Sequence, residues 1–416
     1  MTGAKSDLNS ASIPPDIAQE ARELARGSEV LPGGADGLAR KLLAVRREGR
    51  KLRAKLGIDP TSCDLHLGHA VVFRQLRRFQ EFGHQVVLII GGFTAQIGDP
   101  SGRNTTRPSL SREQVAAFAQ TYLDQMGVIL DLEKVELVNN SDWLGTMTFS
   151  DVLKLSSLVT ANQLLAKEAF GERLDKQLPV GFHELFYPLA QGYDSVAVRA
   201  DVELGGTDQR FNILQGRELQ PHYGQEPQLA MLLPLLEGTD GVQKMSKSYD
   251  NYIALKDTPA DMFGKCMRIP DELIVKYLEL TTTLPGTEID KIKDELEHGG
   301  NPKDAKVQLA SQIVLQYHGG SVAAEASEEW QRIHSQRLAP DDMPLHVVPS
   351  PVQLFRVMVE AKLVASSSEA KRLVQEGGVR LDGQPVKDPN HQVVVTDAGG
   401  VVLQVGRRKF ARLVAN

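Results

Sequence analysis

The sequence predicts an α/β protein: a doubly wound parallel sheet, then a helical region, then a small basic α+β unit. Three observations carry this. Residues 52–58 read as a strand, 65–82 place apolar residues such as Val72, Leu76 and Phe79 near helical spacing, and 85–90 form an almost continuous apolar run. Strand, helix and strand at that spacing make one βαβ unit. A length of 416 residues exceeds one ordinary core and implies two or three domains. Charge is also uneven: residues 351–416 hold ten Lys and Arg against six Asp and Glu, net +4, on a body of net −10.

Composition narrows the class. The chain is 41% hydrophobic and 24% charged, with no apolar run of membrane-spanning length, so no membrane partner is expected. Residues 1–16 lack a basic segment followed by an apolar core, and a cytoplasmic location is expected. Cys63 and Cys266 are far apart and form no C-x-x-C, which argues against a cysteine-rich zinc site or a disulfide framework. A net charge of −6 excludes a protein that coats nucleic acid uniformly, while the basic end suits local RNA contact.

In chain order, 14–27 is a polar helix, Pro32-Gly33-Gly34 breaks it, and 38–47 is a second helix. The first core strand leads into Pro60-Thr61-Ser62-Cys63-Asp64-Leu65-His66-Leu67-Gly68-His69. Asp64 is expected to cap the helix that follows. His66 and His69 then share a face of its first turn, and Gly68 leaves that face open. Two imidazoles at a positive helix end suit a nucleotide triphosphate. Taken alone, the same residues could simply cap a buried helix. The 85–90 strand ends in Gly91-Gly92-Phe93-Thr94, and Ile97-Gly98-Asp99-Pro100-Ser101-Gly102-Arg103 follows at the carboxyl edge of the sheet, as a ligand loop or a plain turn.

Residues 111–126 read as an amphipathic helix, 135–139 as a strand, and 149–167 as helix in two pieces broken near Thr160. Tyr187, Gln191 and Asp194 fall on one helix face, which is either solvent-facing or built for a polar guest. Residues 201–209 read as strand, glycine turn and helix start, with Gly205 and Gly206 allowing close backbone approach to a ribose. Lys244-Met245-Ser246-Lys247-Ser248 follows Gly238 and Gly241, which supply a loop on which Lys244 and Lys247 can swing onto phosphates. A lysine pair alone is usually a solvated surface. Residues 259–318 are helical, punctuated by Pro270, Pro285 and Pro302, and 319–351 read as linker. Beyond lie a capped basic helix at 363–374, a turn-rich strand pair at 377–386 and the run Arg407-Arg408-Lys409.

The pair His-Leu-Gly-His and Lys-Met-Ser-Lys-Ser resembles the two signatures of class I aminoacyl-tRNA synthetases. The helix Tyr-x-x-x-Gln-x-x-Asp and the Ser-x-Ser-Glu-Ala-Lys-Arg-Leu segment resemble the bacterial tyrosyl branch, with its C-terminal S4 RNA-binding domain. The resemblance runs from about Leu42 to the C-terminus. It implies a Rossmann-like catalytic domain over 34–255 with a dimer-forming insertion, and an α-helical anticodon-recognition domain over 256–320. A helical lead at 1–33, a linker at 321–350 and an S4 domain at 351–416 complete the division. S4 domains hold structured RNA mainly through backbone and shape.

The residue roles are those the resemblance implies. Thr61 and His66 would meet the outgoing phosphates, His69 the ribose and adenine side, and Lys244 and Lys247 the pyrophosphate. Pro60, Gly68, Gly205, Asp208, Met245, Ser246 and Ser248 would complete the ATP site. Tyr187, Gln191 and Asp99 would lie at the amino-acid ammonium, with Thr94 in the same wall and Gln209 near the tyrosine. Asp194 would accept from the phenol hydroxyl. Gly57 and Asp59 align with the same pocket, as does Lys55, which stands where one bacterial branch has a Tyr. Together with the complete lysine signature, Lys55 favours the other branch. In the S4 domain Lys371, Arg372, Arg407, Arg408 and Lys409 would contact RNA.

The implied reaction joins L-tyrosine to ATP, accompanied by Mg2+, and passes the tyrosyl group to tRNA(Tyr). No protein-bound metal or organic cofactor is expected, and a homodimer is. Three other readings are a tryptophanyl-type class I synthetase, a non-catalytic S4 RNA-binding paralogue from another class, and a nucleotidyltransferase with H-x-G-H but no tRNA, which would have no use for the tail. The first lacks the S4 tail and the Tyr-x-x-x-Gln-x-x-Asp helix. The second has no need of His66, His69, Lys244 and Lys247.

Overall fold

Six strands form the main sheet: β1 (Glu29–Leu31), β2 (Arg53–Ile58), β3 (Gln85–Ile90), β4 (Val135–Asn139), β5 (Val202–Gly206) and β6 (Leu229–Leu233), in the order β1-β6-β5-β2-β3-β4. The computed structural model describes residues 12–60, 64–101, 112–335, 343–395, 400–406 and 409–415. Thr61, Cys63, Gly102, Arg103, Arg407 and Arg408 lie outside them. β2 to β6 run parallel, and β1 closes one edge antiparallel to β6. Val86, Val87, Leu88 and Ile89 are at most 1% exposed, as expected for a strand covered on both faces. β2 pairs with β3 on one side and β5 on the other, so strand order reverses there. Ligands of such sheets bind beyond the carboxyl ends at that reversal.

The helix after β2 spans Leu67–Glu81, and its N-cap is His66, not Asp64. The reason is a bridge that sequence spacing does not reveal. Leu67 N donates to Ile253 O at 3.0 Å and Leu255 N to Leu65 O at 3.0 Å, which holds residues 65–66 extended. The Asp64 carboxylate is turned to Lys247 instead. Between β4 and β5 lie the short helices Ser141–Leu144, Phe149–Ser156, Ala161–Leu165 and Glu168–Asp175. Thr160 caps Ala161–Leu165 by accepting from Gln163 N. A 3-10 turn, Phe182–Phe186, precedes the helix Tyr187–Ala197. After β6 come the helices Pro259–Cys266, Ile274–Thr281, Gly286–Glu297 and Pro302–His318. Pro259 and Pro302 open two of them and Pro285 caps a third, where a missing N–H costs nothing.

The chain divides into two compact units, 1–317 and 318–416. The second contains a helix, Gly320–Ser335, where the sequence reading placed linker. Its sheet joins Gln384–Val386, Val379–Leu381, Val401–Val405, Lys409–Ala415 and Leu345–Val348 in that order. Leu345–Val348 lies parallel to Lys409–Ala415, so this sheet begins upstream of Pro351. Leu354, Val357, Met358, Val374, Leu403 and Leu413 form its core, each at most 1% exposed. The basic helix Ser367–Gln375 is capped by Ser366, which accepts from Glu369 N at 3.2 Å. Among the described residues, no helix is long and apolar enough to cross a membrane.

Candidate active site

A cavity of about 840 Å³ opens beyond the carboxyl ends of β2 and β5. Its lining includes His66, Gly68, His69, Asp99, Tyr187, Gln191, Asp194, Asp208, Lys244 and Lys247, so motifs nearly 180 residues apart meet in one place. The His66 and His69 rings lie 3.9 Å apart, centroid to centroid, and His66 N donates to His69 Nδ1 at 3.3 Å. A Cβ on Gly68 would stand 3.0 Å from His66 Nδ1 and crowd that ring. Burial, the neighbouring His69 and the two lysines push His66 down to about 2, and burial with Lys244 pushes His69 to about 4. Both are therefore neutral at physiological pH, able to donate or accept through one nitrogen each. His66 Nδ1 is buried with no hydrogen-bond partner among the described residues.

The lysine loop is pinned at its base. Met245 N donates to Leu236 O and Gly238 N to Gln243 O. Asn251, 2% exposed, sits inside the loop: its Oδ1 accepts from Ser246 N at 2.8 Å, and its Nδ2 donates to Asp240, Gln243 O and Lys244 O. A Cβ on Gly238 would come within 2.2 Å of the Asn251 side chain. Lys244 Nζ lies 3.0 Å from Asp208 Oδ2, and Lys247 Nζ 2.5 Å from Asp64 Oδ2. Both ammonium groups thus face the cavity on pairs that are 24–37% exposed.

The opposite end of the cavity is a chain of polar contacts. Tyr187 Oη donates to Asp59 Oδ2 at 2.9 Å and Thr94 Oγ1 to Asp59 Oδ1 at 2.6 Å. Asn140 Nδ2 donates to Thr94 Oγ1 and to Asp194 Oδ2, and Trp143 Nε1 to Asp194 Oδ1 at 2.8 Å. Asp194 is 3% exposed. Burial raises it to about 7, against the pull of Lys55, Trp143 and Asn140. Asp99 accepts from Ser101 N and Gln209 Nε2, and Lys167 lies 3.8 Å away. Burial acts to raise Asp99, but the Lys167 charge and those two donors outweigh it and hold it below the usual carboxylate range.

The structure thus brings Gly57, Asp59, Gly68, Thr94, Asp99, Gly205, Met245, Ser246, Ser248 and Gln209 to the cavity with the residues above. Lys55 and Pro60 do not line it. Lys55 is fully buried beneath, paired with Glu203 at 2.7 Å. Sequence reasoning missed Asn140, Trp143, Lys167, Glu203 and Asn251. Asn140 directly follows β4 at the carboxyl edge, so the rule that flagged Asp99 reaches it too. Lys167, Glu203 and Asn251 carry no local signal. Among the described residues, no cluster of His, Cys, Asp and Glu is placed to hold a metal ion.

In the second unit, the Lys371 ammonium stands 4.5 Å over the Phe355 ring and Arg372 pairs with Glu376 at 3.3 Å. Lys409 donates to Leu363 O. Two of the three described basic residues singled out there, Lys371 and Arg372, lie on one helix.

Residues 47–335 match the family of class I tRNA synthetases (W and Y), and residues 353–398 match the S4 domain. The chain belongs to the class I tRNA synthetase family. The tyrosine--tRNA ligase of Moorella thermoacetica is 49% identical over 401 residues, 96% of each chain, and that of Thermotoga maritima 50% over 370 residues, 89% of this chain and 92% of its own. Within the family the chain is therefore one of the tyrosine--tRNA ligases. Two solved structures share the fold. A C-terminally truncated mitochondrial tyrosyl-tRNA synthetase of Aspergillus nidulans has a TM-score of 0.63 at 24% identity, covering 77% of this chain and 94% of its own. The Archaeoglobus fulgidus tyrosyl-tRNA synthetase has a TM-score of 0.60 at 23% identity, covering 75% and 100%.

Proposed function

We propose that this cavity activates L-tyrosine with ATP and then passes the tyrosyl group to tRNA(Tyr). The observation that carries the reading is the meeting of His66, His69, Lys244 and Lys247 with the buried Asp194 carboxylate in a single cavity. In the first step the tyrosine carboxylate attacks the ATP α-phosphorus in line, and pyrophosphate leaves. The protein positions the reactants and stabilises charge. His66 donates toward the outgoing phosphates, His69 backs it at the ribose side, and Asp208 with Gly205 meets the sugar. Lys244 and Lys247 leave Asp208 and Asp64 for the pyrophosphate. Mg2+ arrives with ATP as part of the substrate. Asp99, Tyr187 and Gln191 take the amino-acid ammonium, and Asp194 accepts from the phenol.

Transfer engages the second unit, with Lys371, Arg372 and Lys409 as its RNA-facing cations. The catalytic, helical and S4 divisions of the sequence reading serve as its working parts. Phe149, 78% exposed, and Phe182, 74% exposed, suit a second copy of the chain, so the enzyme acts as a homodimer. The reading is tested by charging: the whole chain should attach tyrosine to tRNA(Tyr), with ATP consumed and no other amino acid attached at comparable rate. Preferential charging with tryptophan, or RNA binding without charging, would refute it.

A further inference from the structure

Lys55 and Glu203 form an ion pair at 2.7 Å, 0% and 1% exposed, directly under the amino-acid end of the cavity. Burying such a pair is costly unless every remaining donor and acceptor is met. Here every one is. The Lys55 ammonium gives its three protons to Glu203 Oε1, Ser195 Oγ at 3.1 Å and Gln191 O at 3.3 Å. Glu203 Oε1 also accepts from Gln191 Nε2 at 3.1 Å, and Oε2 accepts from Ser195 Oγ at 2.8 Å and Gln228 Nε2 at 2.6 Å. No donor of Lys55 is left for a ligand. Gln191 does line the cavity, and both its backbone and its side-chain amide are fixed by this pair.

We propose that Lys55 is a positioning residue that acts through Glu203 to orient the Gln191 side chain toward the amino end of the substrate, and that it does not touch the phenol. An amide whose NH2 is given to Glu203 keeps its carbonyl oxygen as an acceptor. That is the polarity an ammonium requires. Removing the Lys55 charge takes the cation from the Glu203 carboxylate and the donor from the Gln191 backbone oxygen, so the acceptor that sets which end of the Gln191 amide faces the substrate is no longer held in place. The inference rests on the reading of the cavity as an amino-acid-activating site.

The test is ATP–pyrophosphate exchange with L-tyrosine and with L-phenylalanine, using Lys55→Met, Gln191→Ala and their combination. Measured well above pH 7, where Asp194 stays ionised without the pull of Lys55, Lys55→Met should raise KM about tenfold for both amino acids alike, with kcat nearly unchanged. Added to Gln191→Ala, it should change KM by less than about twofold. Loss of tyrosine with phenylalanine untouched would show a phenol contact and overturn the proposal. So would effects that multiply in the combined variant, which mark Lys55 as independent of Gln191. Should Lys55→Met not fold, Lys55→Met with Glu203→Gln removes both charges. It should show the same parallel rise, and unchanged KM in it would overturn the proposal. Absence of tyrosine-dependent exchange in the unmodified chain would instead refute the reading of the site.

Discussion

The Lys247 ammonium lies 2.5 Å from the Asp64 carboxylate, so the lysine loop is closed on the residues just before the first histidine. The pair is about one-third exposed on each side, where such contacts contribute at most about 1 kcal/mol. Phosphate charge can displace it at little cost.

Lys247→Ala is therefore expected to lower the rate of tyrosine activation by roughly two orders of magnitude or more, with little change in tyrosine affinity. Single-turnover adenylate formation and equilibrium tyrosine binding separate the two quantities. A collapse of affinity at unchanged rate would make the loop a binding element.

Asn251 holds the same loop from inside. Asn251→Ala leaves the Ser246 N–H and two backbone carbonyls without that partner, at a cost of about 1–3 kcal/mol for a buried group. The activation rate is expected to fall about tenfold or more, while the amino-acid end, which Asn251 does not line, keeps its tyrosine KM. An equal loss in both would assign Asn251 to overall stability.

Asn251, unlike Lys247, carries no signal in the sequence. The βαβ unit, the two signatures and the Tyr187–Gln191–Asp194 face were legible because each is local: a period, a turn, a spacing. Glu203 and Lys167 act on partners far along the chain, and Asn251 bonds across an irregular loop, so no period marks any of them. The cap was misassigned for the same reason, since the strand-like pairing of residues 65–67 with 253–255 overrides the local preference for Asp64. The helix Gly320–Ser335 escaped notice within a stretch read as linker. β1 is only three residues long and gives too short a pattern to register.

The proposed site makes Asp194 the acceptor for the phenol hydroxyl. Asp194→Asn is expected to narrow the preference for tyrosine over phenylalanine by about one to two orders of magnitude, mainly by losing tyrosine, since an unmet buried polar group costs about 1–3 kcal/mol. Exchange kinetics with both amino acids measure it. Unchanged preference would move the recognition elsewhere.

The pH dependence follows from the same carboxyl, raised by burial from 3.8 to about 7. A phenol donates best to the ionised form, so tyrosine affinity should fall as pH drops below about 7, by up to about tenfold per unit, and Asp194→Asn should abolish that slope. Stability runs the other way. A carboxyl whose folded value lies above its unfolded one gives full stability below 3.8 and loses it as pH rises through 7. Asp194→Asn should therefore flatten the loss of ligand-free stability between pH 4 and 7 in urea unfolding.

A chain ending at Ser335 keeps the whole first unit and the family-matched segment, and it removes the sheet that starts at Leu345. It is expected to form tyrosyl-adenylate at near-normal rate and to charge tRNA poorly. Its tRNA affinity should also depend less steeply on salt, because fewer counterions are released. Charging equal to that of the full chain across salt would leave the S4 unit without a role.

The most direct test of the central claim is ATP–pyrophosphate exchange measured with each of the twenty amino acids in turn. Exchange driven by tyrosine far above all other amino acids, and lost in Lys247→Ala, is expected. Exchange driven best by tryptophan, or none with any amino acid, would contradict it.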